Sequence, residues 1–171
     1  MNPRVFEADL SSPADVMSVL DVLDSYASDP VGGGQPLSRD VRERLPAMLR
    51  DLPTSLVLLA ADGDRRVGVA VCFFSLSTFR ARPLLNIHDL AVLPEFRGKG
   101  VGRALLQAAE DRARRKGCCK LTLEVQEDNA RARTLYQRFG FGDFVVGGSA
   151  PTRFLAKILD TRSEEPHVTR Q

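Results

Sequence analysis

Leu84-Leu-Asn-Ile-His-Asp-Leu-Ala-Val-Leu-Pro-Glu-Phe-Arg-Gly-Lys-Gly-Val-Gly102 is the stretch on which the reading of this chain turns. Its first half, Leu84 to Val92, is apolar and strand-like. Its end opens a helix pattern from Val101 to Lys116, with Val101, Leu105, Ala109 and Ala113 on one face. Between the two lies Arg97-Gly98-Lys99-Gly100-Val101-Gly102. A strand, a glycine-rich turn and a helix in that order present free backbone N–H groups at the positive end of a helix. Glycines let a phosphate come close because no Cβ stands in the way. The arginine and lysine add charge, and the whole suits a diphosphate. It is not a Walker loop, which needs Gly-x-x-x-x-Gly-Lys-Ser/Thr, and the dinucleotide fingerprint Gly-x-Gly-x-x-Gly does not occur.

Outward from this stretch the elements alternate. Residues 4–8 suit a short first strand. Ser11-Ser12-Pro13 is a helix start, with Val16, Leu20 and Leu23 on one face. Asp29-Pro30-Val31-Gly32-Gly33-Gly34 reads as a flexible break within the domain. Ser38 caps a second short helix, which Pro46 should limit or bend. Residues 55–61 form a continuous apolar strand, Asp62-Gly63-Asp64 a turn, and Arg66 to Ser77 the return strand of a hairpin. After the long helix, ended by Gly117, Leu121, Leu123 and Val125 alternate with polar residues as a fifth strand. Asp128 or Asn129 starts a helix whose apolar face is Ala132, Leu135, Tyr136 and Phe139, and Gly140 stops it. Phe154 to Leu159 suits a last strand. The expected organisation is one domain over residues 1–159 and a polar, disordered tail over 160–171. The fold class is mixed α/β.

Composition excludes several classes. The chain has 171 residues, 43% hydrophobic and 27% charged, and a net charge of +2. That charge is too small to argue for nucleic acid or an anionic membrane. No apolar run reaches membrane-spanning length. Three cysteines, Cys72, Cys118 and Cys119, without Cys-x-x-Cys spacing, argue against a disulfide framework and against a metal site. They read as free thiols in a reducing compartment, so a cytoplasmic setting is expected.

Leu90-Ala-Val-Leu-Pro-Glu-Phe-Arg97-Gly-Lys-Gly-Val-Gly102 resembles the acetyl-CoA signature of the GNAT superfamily of N-acetyltransferases. Asn129-Ala-Arg-Ala-Arg-Thr-Leu-Tyr136 followed by Phe139-Gly140-Phe141 is similar to a second block of the same superfamily, in the right order and spacing. The two blocks cover about a third of the chain. The resemblance implies the GNAT fold, a mixed sheet splayed between its fourth and fifth strands and flanked by helices, with acetyl-CoA as co-substrate and no metal. It implies that backbone N–H groups of Arg97, Gly98, Lys99, Gly100, Val101 and Gly102, with Arg103 beside them, wrap the pyrophosphate. Leu90, Ala91 and Val92 would pair with the pantetheine arm, beside a bulge near Leu90. Asn129 would contact the cofactor or cap its helix. Tyr136 matches the family position that donates a proton to the CoA sulfur, and the alternative is a packing tyrosine.

The base is open. Asn86 and His88 share a face of the fourth strand, and only the histidine can take a proton, directly or through water. Asp89 should face the other side unless the bulge turns it. Diamine acetyltransferases carry Glu-Asp where this chain has His88-Asp89, which departs from that substrate class. Glu7, Asp9, Asp15, Asp21, Asp24 and Asp29 crowd the first thirty residues. They are either an acidic wall for a cationic amine or a solvated helix face. The expected function is transfer of acetyl to a primary amine of a small molecule by direct attack in a ternary complex. The alternatives are a protein lysine or N-terminal acetyltransferase and a non-catalytic CoA-binding module. Dimers are common in the family, which leaves the association open between a monomer and a homodimer.

Overall fold

The computed structural model describes residues 3–145 and 151–156. Its centre is a five-stranded sheet in the order β1 (Arg4–Glu7), β2 (Ser55–Asp62), β3 (Arg65–Ser77), β4 (Arg82–Val92), β5 (Leu121–Leu123). The first four strands pair antiparallel and β5 joins β4 in parallel. The helices α1 (Pro13–Ala27), α2 (Arg39–Asp51), α3 (Val101–Arg115) and α4 (Ala130–Phe139) complete it, with short 3-10 turns at Pro30–Gly32 and Pro94–Phe96.

β2 reads as an unbroken apolar run because both of its faces are covered. Leu56, Leu58 and Ala60 join Val101, Leu105, Leu106 and Ala109 of α3 on one side. Val57 and Leu59 join Val19, Val22 and Leu23 of α1 and Leu49 of α2 on the other. The third helical layer, α4, adds Leu135, Tyr136 and Phe139 to the α3 side.

Local signals hold at most ends. The Ser38 hydroxyl accepts the Val41 N–H at 3.3 Å and starts α2. Gly117 and Gly140 follow α3 and α4 at φ of +73° and +103°. Pro46 does not limit α2, which continues to Asp51. A proline forfeits one ladder hydrogen bond, and burial of Leu49 beyond it on the sheet compensates. The fifth strand stops at Leu123, short of Val125, because its pairing with β4 stops there. No strand forms over Phe154–Ala156, and residues 157–159 and the tail 160–171 lie outside the described residues.

The acidic first thirty residues are not a free wall. Asp9 accepts the Ser11 N–H at 2.9 Å, and Asp15, buried at 8% exposure, faces Arg66 at 3.6 Å. Asp21 and Asp24 share Arg42 at 3.0 and 3.5 Å, Glu7 faces Arg112 at 3.4 Å, and Asp29 pairs with Arg97 at 2.8 Å. Every one of the six carboxylates is occupied within the fold.

Gly68 of β3 is where α3 lies closest to the sheet. A Cβ there would stand 2.9 Å from Val101 Cγ1 and 3.1 Å from both Leu105 Cδ1 and the Ala91 carbonyl oxygen. Gly68→Ala should therefore lower stability by about 1–3 kcal/mol through overpacking. Urea unfolding checks this, and an unchanged midpoint would show that α3 can move away freely.

Candidate active site

The site grows from one extra residue in β4. Asp89 sits opposite Val71 and Ile87 sits opposite Cys72, so His88 has no partner of its own on β3. This is the β-bulge, two residues earlier than expected near Leu90. It reverses the alternation of the strand. Leu85 and Ile87 face α3 before it, and Leu90 and Val92 face α3 after it. Asp89 therefore comes round to the α1 side with Ala91, the side it should have missed had the strand stayed regular. His88 is left exposed on the bulge, its ring edge-on to Phe73 at 5.6 Å.

The same break opens a slot. β4 and β5 pair only from Leu85–Leu121 to Ile87–Leu123. At the last paired turn the Asn86 amide donates to Thr122 Oγ1 at 3.1 Å and to Glu124 Oε1 at 3.3 Å, tying the two strands where they part. Beyond it lies a cavity of about 860 Å³. Its walls run from the glycine turn to His88, Asp89, Tyr26 and Tyr136.

One end of the cavity is a cradle of main chain. Gly98 and Gly100 hold φ of +75° and +87°, where L side chains are strained, and a Cβ on either would point into open space. Gly100 is also the N-cap of α3 and supplies no side-chain cap. The N–H groups of the first turn therefore have no intrahelical or capping partner and stand at the positive end of a 15-residue helix. An anion fits here by geometry and by charge. Exposed Arg103, Arg131 and Arg138 surround the opening.

The other end is titratable. The carboxylate of Asp89 accepts no hydrogen bond from the described residues. Burial pushes its pKa above the ordinary carboxylate range, and the His88 imidazole beside it works in the opposite direction. Tyr136 is pushed up to about 12, first by burial, then by Tyr26 and Asp89. Tyr26 is likewise raised, by burial, Asp89 and Asp29. Cys72, beneath them on β3, is raised to about 12 by burial and Asp89, which makes it an inert thiol. The arrangement places a partly buried carboxylate with a raised pKa beside two phenols that stay protonated at neutral pH. Among the described residues no group of His, Cys, Asp and Glu could hold a metal ion, and no helix is long and apolar enough to cross a membrane.

The profile of the Acetyltransferase (GNAT) family matches residues 19–141, most of the chain. The chain belongs to the GNAT acetyltransferase family. Streptothricin acetyltransferase of Streptomyces lavendulae is 36% identical over 145 residues, 80% of this chain and 68% of that protein. Thialysine N-epsilon-acetyltransferase of Bos taurus is 36% identical over 90 residues, 50% of this chain, and the chain spans about half, 52%, of its length. A crystal structure of a probable acetyltransferase superposes with a TM-score of 0.74 at 20% identity, covering 90% of this chain and 99% of that one, which shows a shared fold. Membership in the GNAT family implies acetyl-CoA as co-substrate and N-acetyl transfer as the reaction.

Of the positions expected from sequence, His88, Leu90, Ala91, Val92, Arg97, Gly98, Gly100, Gly102, Arg103, Asn129 and Tyr136 line the cavity. Val101 does not, because its side chain is 1% exposed in the core, and Lys99 lies over the Phe96 ring at 5.2 Å. Either can still offer a main-chain N–H. The Asn129 side chain accepts the Ala132 N–H at 3.1 Å, so it caps α4. Tyr26 lines the cavity without a sequence signal, Asp89 does so because the bulge turns it, and Asp29 is the one member of the acidic set in the first thirty residues that lines it. Regular alternation pointed Asp89 away, and the glycine run after Asp29 read as a flexible break. The acid-base neighbours of Asp89 offered no motif of their own.

Both tyrosines of the chain stand in this site, so their ionisation reports on it directly. A phenol whose pKa is raised on folding contributes stability that is intact below its unfolded value near 10 and is lost as pH rises towards 12. Absorbance titration of the native protein should show little tyrosinate at pH 10, whereas the urea-unfolded chain should be about half ionised there. Coincident native and unfolded curves would place both phenols in solvent.

Proposed function

We propose that this protein acetylates a primary amine of a small molecule, using acetyl-CoA, by direct attack within a ternary complex. One observation carries the reading: a single cavity joins the anion cradle to Asp89 and Tyr136. The loop 97–102 would hold the pyrophosphate with main-chain N–H groups, and the freed edge of β4 at Leu90–Val92 would receive the pantetheine arm. Acetyl-CoA brings an activated thioester, and the remaining steps belong to side chains.

Asp89 is the best-placed base, with His88 or an ordered water the alternative route. A half-buried carboxylate that accepts no hydrogen bond from the described residues attracts an ammonium group and takes one proton from it, which frees the nitrogen lone pair to attack the carbonyl carbon; the second proton leaves the nitrogen as the amide forms and replaces, through water, the one that Tyr136 gives to sulfur. As the C–N bond forms and the C–S bond breaks, Tyr136 donates to the departing sulfur. A phenol near 12 is a poor donor of a full proton to a thiolate of ordinary pKa about 8.5. The order of events helps. Once Asp89 holds the amine's proton its negative charge is gone, one cause of the raised Tyr136 pKa disappears, and transfer to sulfur becomes easier. Base and acid are thus electrostatically linked.

The small-molecule acceptor is supported by the enclosed wall of Tyr26, Asp89 and Tyr136, and by relatives whose names specify streptothricin and thialysine. The cationic amine would be selected by Asp89 itself, since the carboxylates of α1 are already paired.

Release of free CoA in the presence of a panel of primary amines and of peptides tests the reading, and turnover confined to peptides would overturn the acceptor assignment. Tyr136→Phe should lower kcat by about 10- to 1000-fold with little change in the KM for acetyl-CoA. Wild-type kcat in a folded variant would make it a packing residue. Asp89→Asn should lower kcat/KM and remove the acidic limb of its pH profile. Two acceptors of different basicity are needed, because an amine's own pKa also bends the profile. Retention of that limb with both would return the base role to His88 or water. Gly100→Asp should abolish measurable acetyl-CoA binding by calorimetry, because the new carboxylate would meet phosphate.

A further inference from the structure

Arg97 begins the cofactor loop, yet its guanidinium is turned away from the cradle. Its Nε donates to the Val92 carbonyl at 3.0 Å, and Nη1 donates to Asp29 Oδ2 at 2.8 Å. The two side chains are each only 19% exposed. Asp29 is the hub of the turn that follows α1. Its Oδ1 accepts the Val31 N–H at 3.1 Å, and its carbonyl accepts the N–H groups of Gly32 and Gly34 at 2.8 and 3.0 Å. Its own N–H donates to the Tyr26 carbonyl at 3.0 Å. The Val31 N–H and the Arg97 guanidinium hold the Asp29 carboxyl below the usual carboxylate range, so it stays charged.

This places one ion pair between two walls of the cavity. On one side, the loop 97–102 carries Gly98 and Gly100 at positive φ, with open space where a Cβ would stand. On the other, the turn after α1 holds Gly33 and Gly34 at positive φ of +115° and +73°, with the Gln35 N–H donating to the Ala27 carbonyl at 3.1 Å and the Leu37 N–H to Asp24 Oδ1 at 2.8 Å, and Asp29 carries its link to Arg97. Tyr26, at the end of α1, faces Asp89 and Tyr136 in the cavity. We propose that the Asp29–Arg97 pair is a strut that couples the two substrate sites: it fixes the turn after α1, and with it Tyr26, against the cofactor loop, so that ordering the loop around a diphosphate also sets the acceptor wall. Asp29 and Arg97 are positioning residues in this scheme. The coupling is reciprocal, as any linkage must be, so an acceptor in place would tighten the loop in turn. The scheme rests on the proposed acetyl transfer for its meaning but not for its test.

The test uses CoA as the probe and amide hydrogen exchange as the readout, with no turnover needed. In the wild-type protein, saturating CoA should slow exchange in two segments, residues 97–106 and residues 26–34. In Asp29→Asn, an isosteric change that leaves the cradle intact, CoA should still protect 97–106, with calorimetric affinity within about twofold of wild type, and should no longer protect 26–34. Protection of 26–34 that survives in Asp29→Asn overturns the strut, and so does its absence in the wild type. Loss of protection in both segments would mean that the pair serves cofactor binding alone, which also overturns it. A second arm applies once an amine acceptor is in hand. Asp29→Asn and Arg97→Gln should each raise the acceptor KM about tenfold with kcat changed less, and the double variant should be no worse than either. Additive effects would show that the two residues act independently. A wild-type protein that acetylates no amine would defeat the proposed function, while the exchange experiment would still decide the strut.

Discussion

Parallel pairing of β4 with β5 ends at Ile87 and Leu123, and the site depends on that ending. A sheet that continued in register would satisfy the main-chain groups of Leu90–Val92 internally and leave no slot. The extra residue at His88 prevents it. By reversing which way side chains point, the bulge keeps Leu90 and Val92 packed on α3 while it swings a carboxylate into the cavity. Strand geometry, core packing and acid-base chemistry therefore share a single irregularity. The tie from Asn86 to Thr122 and Glu124 marks the last point at which the two strands behave as one sheet.

Charge is distributed around this slot in a way that separates structural from reactive groups. The carboxylates of the first helical region are taken up by arginines or by main-chain N–H groups. Such paired charges contribute little to chemistry and modestly to stability. Among the described residues Asp89 has neither kind of partner, and its burial raises the cost of its charged form. That cost is what makes a cationic partner attractive to it. The same burial raises the pKa of Tyr26 and of Tyr136 and keeps both phenols protonated at neutral pH.

The anion cradle is built differently, from main chain alone. Gly98 and Gly100 adopt backbone angles other residues avoid, and the uncapped start of α3 supplies the donors. Nothing in the side chains needs to be placed well for this to work, which is why the motif can be read directly. Gly68 of β3, paired with Val92 of the neighbouring β4, lets α3 sit close to the sheet.

Much of this was legible beforehand. The four apolar strands, the helix starts at Ser38 and Asn129, the stops at Gly117 and Gly140, and the phosphate turn follow from local periodicity and from glycine chemistry, which act over a few residues. The family followed from two short blocks whose spacing is itself local, and residues of both blocks, Arg97 to Gly102 in part and Tyr136, line the cavity. What only the tertiary structure decided was the far end of the cavity. Asp89 reaches it because β3 leaves His88 without a partner, a matter of register between β3 and β4 at the pairs Val71–Asp89 and Cys72–Ile87. Asp29 reaches the cofactor loop because α1 ends above it, 68 positions away in sequence. Neither long-range pairing leaves a trace in the composition or period of its own segment, so a glycine-rich stretch that reads as a flexible break turns out to be tied down by one aspartate.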